Sequence, residues 1–203
     1  ELQEDSGLFS FQVVEMKEFI ELQVQVASYK MVEGRFLLAN GHFYQISPLQ
    51  KILIEAVQSL PLSSDQKRHV QFDLSDQTKL TYSLEQFRKI GEVKAPSNFY
   101  IHDFQPHFTF DLSEQGEVLL EVAFVYEDRI VRSEQDLKDL PYSSNFDKER
   151  MVFETILAAG FTNHFQTKRS PLLPKQIYPF FQQTLPLFEQ LGEVEVSEKL
   201  LDL

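Results

Sequence analysis

The sequence predicts an α+β fold of two similar modules, each made of antiparallel strands packed with two helices. Three observations carry this. Lys51 to Leu62 (KILIEAVQSLPL) is echoed by Arg150 to Phe161 (RMVFETILAAGF), with Glu55 and Glu154 lying 99 positions apart. Phe87-Arg-Lys-Ile-Gly-Glu-Val recurs as Phe188-Glu-Gln-Leu-Gly-Glu-Val, with Glu92 and Glu193 lying 101 positions apart. Two ordered echoes at nearly one offset point to an internal duplication. In each half, moreover, alternating strands come first and helix-period segments follow, which favours α+β over a doubly wound sheet. The modules are expected at 1–95 and 96–203, joined through Lys94-Ala-Pro-Ser-Asn98.

In chain order, Leu8 to Val14 is apolar enough for a strand. In Phe19 to Ala27, Ile20, Leu22, Val24 and Val26 alternate with polar neighbours, as in a strand with one wet face. Asn40-Gly41 between the apolar runs 35–38 and 42–46 predicts a hairpin, because both residues tolerate positive φ. Ser47-Pro48 opens the first helix, as N-cap and first-turn proline. Leu49, Ile52, Leu53, Ala56, Val57 and Leu60 mark its expected core stripe. A polar loop over Ser63 to Arg68 leads to a strand with Val70, Phe72 and Leu74. Ser83-Leu-Glu-Gln86 reads as a capping box opening a short helix, closed by Gly91 as a left-handed cap.

In the second half, Phe99 to His102 and the alternation around Phe108 and Phe110 predict strands. Val118 to Tyr126 is apolar except at Glu121, which predicts a central strand covered on both faces. Ser133 to Asn145 reads as a polar loop. The second copy of the helix follows, with Val152, Phe153, Ile156 and Leu157 inward and Gly160 as terminator. A strand over Thr162 to Lys168 comes next. In the last helix Pro179 suits the first turn and Pro186 must kink or break it. Gly192 repeats Gly91, and Val194 and Val196 fit a short final strand.

Composition narrows the function. The 203 residues are 42% hydrophobic and 25% charged, ordinary globular usage, and 19 Phe can fill a core. The absence of Cys excludes disulfides and thiolate zinc sites within the chain. A net charge of −12 argues against autonomous nucleic-acid binding. Duplex DNA is expected to bind no tighter than roughly 10⁻⁴–10⁻⁶ M at physiological salt. No apolar run is long enough for a membrane span, and the acidic start ELQEDSG is no signal peptide, so a cytoplasmic location without membrane contact is expected. The chain does not begin with Met and reads as a trimmed piece of a longer one.

Chemistry-bearing motifs are scarce. None of the glycines precedes Lys, so there is no P-loop, and no G-x-G-x-x-G, G-x-S-x-G or H-E-x-x-H occurs. His102, Asp103 and His107 are of metal-ligand type, but their spacing across a turn matches no usual site; a metal-dependent hydrolase on them is the minor alternative. Asp147, Glu149 and Glu154 are better read as helix charges than as an acid–base pair. Basic residues cluster at Lys67-Arg68-His69, and at Lys168-Arg169 with Arg129 and Arg132 as candidate neighbours. Arg129, Arg132, Lys168 and Arg169 are therefore the candidate phosphate or partner contacts, weighed against plain solvated surface. Phe108, Phe110, Phe124, Tyr126, Phe180 and Phe181 could stack bases, but their spacing assigns them to the core.

Read as a unit, the second half carries Asn98-Phe-Tyr-Ile-His-Asp, then Val122-Ala-Phe-Val-Tyr126. Next come Asp147-Lys-Glu-Arg with Glu154, Leu157-Ala-Ala-Gly-Phe161, Leu185-Pro186-Leu187 and Gly192-Glu-Val-Glu-Val-Ser197. This order resembles the helicase-associated domain upstream of the motor in bacterial Swi/Snf-type DNA-dependent ATPases. Gly41-His-Phe-Tyr-Gln-Ile-Ser resembles its earlier part, and the likeness covers most of residues 35–203. Tyr126-Glu127 departs from the expected Tyr-Gly. The resemblance implies a non-catalytic accessory module. Catalytic lobes, ATP and Mg would belong to the parent, and no cofactor or metal to this stretch. The partners would be the ATPase lobes of the same polypeptide, double-stranded DNA through the parent, or another protein. The alternative is a free-standing interaction protein.

Overall fold

Period-two alternation does its work at the first hairpin. The computed structural model describes residues 1–63 and 67–203. Strands β1 (Phe9–Glu15) and β2 (Phe19–Val26) pair antiparallel, with Phe11 opposite Val24 and Val13 opposite Leu22. One face of the pair therefore carries Phe9, Phe11, Ile20, Leu22 and Val24, all buried. A small antiparallel sheet follows: β3 (Lys30–Val32), β4 (Phe36–Ala39) and β5 (His42–Gln45). Asn40 and Gly41 turn between the last two at φ 51° and 75°.

Helix α1 (Pro48–Gln58) begins where Ser47 and Gln50 exchange side-chain and backbone hydrogen bonds in a full capping box. It buries Leu53, Ile54 and Val57, whereas Leu49 and Ile52 are exposed. The expected stripe is thus rotated: the buried arc is centred on Ile54, which the i, i+3 count had left out. Strand β6 (Arg68–Asp73) joins the free side of β2. The loop expected over Ser63 to Arg68 lies partly outside the described residues. Helix α2 (Gln77–Phe87) starts well before Ser83. Ser83 is mid-helix and donates its hydroxyl to the Lys79 carbonyl at 3.0 Å, so it is a back-bonded serine rather than a cap. Strand β7 (Glu92–Lys94) then lies parallel to β1.

Contacts divide the chain after Ile101, within the short β8 (Ile101–His102). Phe99, expected in a strand, is instead part of a 3₁₀ turn. The second unit rebuilds the first sheet. Strands β9 (Gln105–Leu112) and β10 (Val118–Val125) pair antiparallel, with Phe108 opposite Val122. After β11 (Ile130–Val131), the expected polar loop holds helix α3 (Glu134–Lys138), capped by Ser133, and β12 (Ser143–Ser144). Helix α4 (Phe146–Ala158) buries Val152 and Ile156, but leaves Leu157 exposed. Strand β13 (Gln166–Arg169) pairs with β10.

Helix α5 (Pro174–Pro179) has Pro174, not Pro179, in its first turn. A π-helical turn (Phe180–Thr184) then carries the chain into α6 (Leu185–Leu191). The wide turn absorbs Pro186, whose missing N–H cannot serve an α-helical bond. Strand β14 (Glu193–Val196) returns parallel to β9, and α7 (Glu198–Leu201) ends the unit.

The two sheets therefore share one plan. Their orders are β6-β2-β1-β7 and β13-β10-β9-β14, with β11 also beside β10. Phe11 lies between Val24 and Val93 as Phe108 lies between Val122 and Val194. The fold is mixed α and β, as expected, with one departure. The last strand of each unit pairs parallel, because the chain crosses a helical layer before it rejoins the sheet. Each unit has its own core. Phe11, Ile54 and Leu84 belong to the first, and Phe110, Ile156 and Phe188 to the second.

Candidate interaction surface

Alternation along β9, β10 and β14 gives the second sheet two unlike faces. Phe108, Phe110, Val118, Leu120 and Val122 pack under the helices with Val152, Ile156 and Phe188. The other face carries Thr109, Glu121, Glu193 and Glu195, all exposed. Strand β10 is central, as expected, but not covered on both sides: Glu121 is exposed and Leu119 and Val125 only half-buried. The sheet twists this open face into a cleft of about 320 Å³. It is lined by the apolar Ala123, Val125 and Ile130 together with the polar His107, Glu121, Arg132, Gln166, Glu193 and Glu195. His107 Nε2 lies 3.4 Å from a Glu193 carboxylate oxygen.

The four basic candidates do not form one patch. Lys168 and Arg169 are consecutive in β13 and serve different neighbours. Lys168 pairs with Glu117 at 3.1 Å. Arg169 donates to the Ala159 carbonyl at 2.8 Å, closing the C-terminus of α4. Arg129 is paired with Asp128 at 3.0 Å and lies over the Tyr142 ring, 5.6 Å from its centroid. Donating hydrogen bonds to the Asp128 carboxylate holds the Arg129 guanidinium above its ordinary range. The Tyr142 hydroxyl and Arg129 together hold the Asp128 carboxyl below its own. Arg132 alone of the four lines the cleft.

The histidine–aspartate set does not converge either. His102 stacks on Tyr142 with centroids 3.7 Å apart, and His107 faces Glu193. Asp103 accepts from the Phe104 N–H at 2.9 Å, Lys148 at 3.2 Å and Asn145 at 3.3 Å. Burial pushes the Asp103 carboxyl up, but these donors outweigh it and leave it lowered. Among the described residues no group of three or more acid, His or Cys side chains is placed to hold a metal ion. Asp147 pairs with Arg150 at 3.2 Å, and Arg150 reaches towards Glu154 at 3.9 Å. Glu149 is separately pushed up by burial near Ser144. In the first unit, Arg68 donates to the Gln58 carbonyl at 2.9 Å and His69 bonds Glu21 at 2.9 Å.

Sequence reading missed the acids of the cleft. Two signals were there. Glu121 is the lone charge in the apolar run of β10, and Glu193-Val-Glu-Val196 alternates so that both carboxylates share a face.

The candidate site is thus an open sheet face on one unit of a two-unit α+β scaffold. The chain belongs to the family described as bacterial SNF2 helicase associated, whose model matches residues 1–203. Neither the curated proteins nor the solved structures gave a match.

Proposed function

We propose that this chain is a non-catalytic accessory module of an SNF2-type, ATP-dependent DNA motor, docking on the ATPase lobes of the same polypeptide or holding a protein partner. The observation that carries this reading is the family match over residues 1–203. The sequence supports it, since it lacks a phosphate-binding loop and carries a net charge of −12. ATP, Mg and most of the duplex contact belong, on this reading, to the motor. The split fate of the basic residues agrees: Arg169, Lys168 and Arg129 serve neighbours inside the unit.

The test is hydrolysis. Purified residues 1–203 are expected to release no phosphate from ATP above the blank, with or without duplex DNA. Turnover that co-purifies with the chain through stringent washing and gel filtration would remove the proposal.

A further inference from the structure

We propose that the cleft on the open face of the second sheet docks a basic segment of a protein partner. One Lys or Arg side chain would lay its stem on Ala123, Val125 and Ile130 and place its charge among Glu121, Glu193 and Glu195. This names the partner chemistry for the accessory role and rests on that reading.

Three observations carry it. The cleft, about 320 Å³, sets apolar Ala123, Val125 and Ile130 beside the acids Glu121, Glu193 and Glu195, the combination that suits an amphipathic side chain with a long stem. Glu121 and Glu195 have no ion pair or side-chain hydrogen bond among the described residues, and Arg132, which lines the same cleft, is paired with neither. Their charge is thus available to an incoming cation.

The fold does not demand this surface. By strand register, Glu121 corresponds to Gln23 of the first unit, Ala123 to Gln25, Thr109 to Gln12 and Glu195 to Lys94. Of the acids only Glu193 keeps its residue type, as Glu92, so the same sheet plan is satisfied by glutamines and a lysine at the other positions. Complementarity of charge selects a basic protein segment over nucleic acid, whose phosphates the acids would repel.

The test uses residues 1–203 and a labelled peptide alternating valine with arginine, read by fluorescence anisotropy. Saturable binding is expected, weakened about tenfold by Glu121→Gln with Glu195→Gln, and also by Ile130→Lys. The charge-matched variant Glu4→Gln with Glu18→Gln should change it by less than about twofold, since diffuse attraction to an acidic protein is screened by salt. Melting curves confirm that each variant is folded. Equal losses in the two glutamine variants, no binding, or tighter binding of duplex DNA or of a valine–glutamate peptide would each overturn the proposal. No motor and no ATP are present, so failure here leaves the accessory reading intact. ATP hydrolysis by the chain would topple that reading without touching the peptide result.

Discussion

At Gly192 there is no room for a methyl group. A Cβ built there would stand 2.0 Å from the Pro106 carbonyl oxygen, and one at Gly91 would stand 2.3 Å from that of Phe9. Neither glycine is left-handed; Gly192 is extended, at φ −172°. The expected role as left-handed helix caps is therefore corrected. Both are glycine because the crossover passes against the first strand just before pairing parallel to it. Gly160, by contrast, does end its helix at φ 90°. Replacing Gly192 or Gly91 by Ala must move backbone, and overpacking of this kind costs about 1–3 kcal/mol. Urea unfolding of each variant is expected to show that loss. Unchanged midpoints would mean that the strands slide apart freely.

Arg169 shows what an element asks of one side chain. Its Nη1 accompanies the last carbonyls of α4, where a cation also meets the negative end of the helix dipole. Arg169→Met keeps the stem and loses the charged bond, worth about 1.5–3 kcal/mol. Lys168→Met removes only an exposed pair with Glu117, worth about 0–1 kcal/mol. Thermal melts should separate the neighbours clearly; equal shifts would sink the assignment of Arg169 as a cap.

Sequence alone paired these two residues as contacts, because adjacency in the chain is visible and the direction of a side chain is not until the strand register is known. Local signals were legible for the same reason in reverse. The Ser47 cap, the Asn40-Gly41 turn and the alternation of β2 depend on neighbours a few positions away. The start of α2, the parallel return of β7 and β14 and the lining of the cleft depend on partners far along the chain. Ser83 even carried a capping pattern that tertiary packing overruled.

Over the whole molecule, the two echoes that first suggested duplication fall at equivalent places in the two units. Lys51 and Arg150 lie in α1 and α4, and Gly91 and Gly192 precede β7 and β14. We propose a common origin for the two units, and an expectation about folding follows from their separate cores. A unit of about a hundred residues is large enough to fold alone. Residues 1–101 and 102–203, expressed apart, should each melt cooperatively with the circular dichroism of a mixed fold. For the intact chain, calorimetry should give a total enthalpy near twice the van't Hoff value, since two independent transitions each contribute about 60–80 kcal/mol. A ratio of one, together with either half remaining unfolded alone, would mean that the cores depend on each other and that the repeated plan does not mark two folding units.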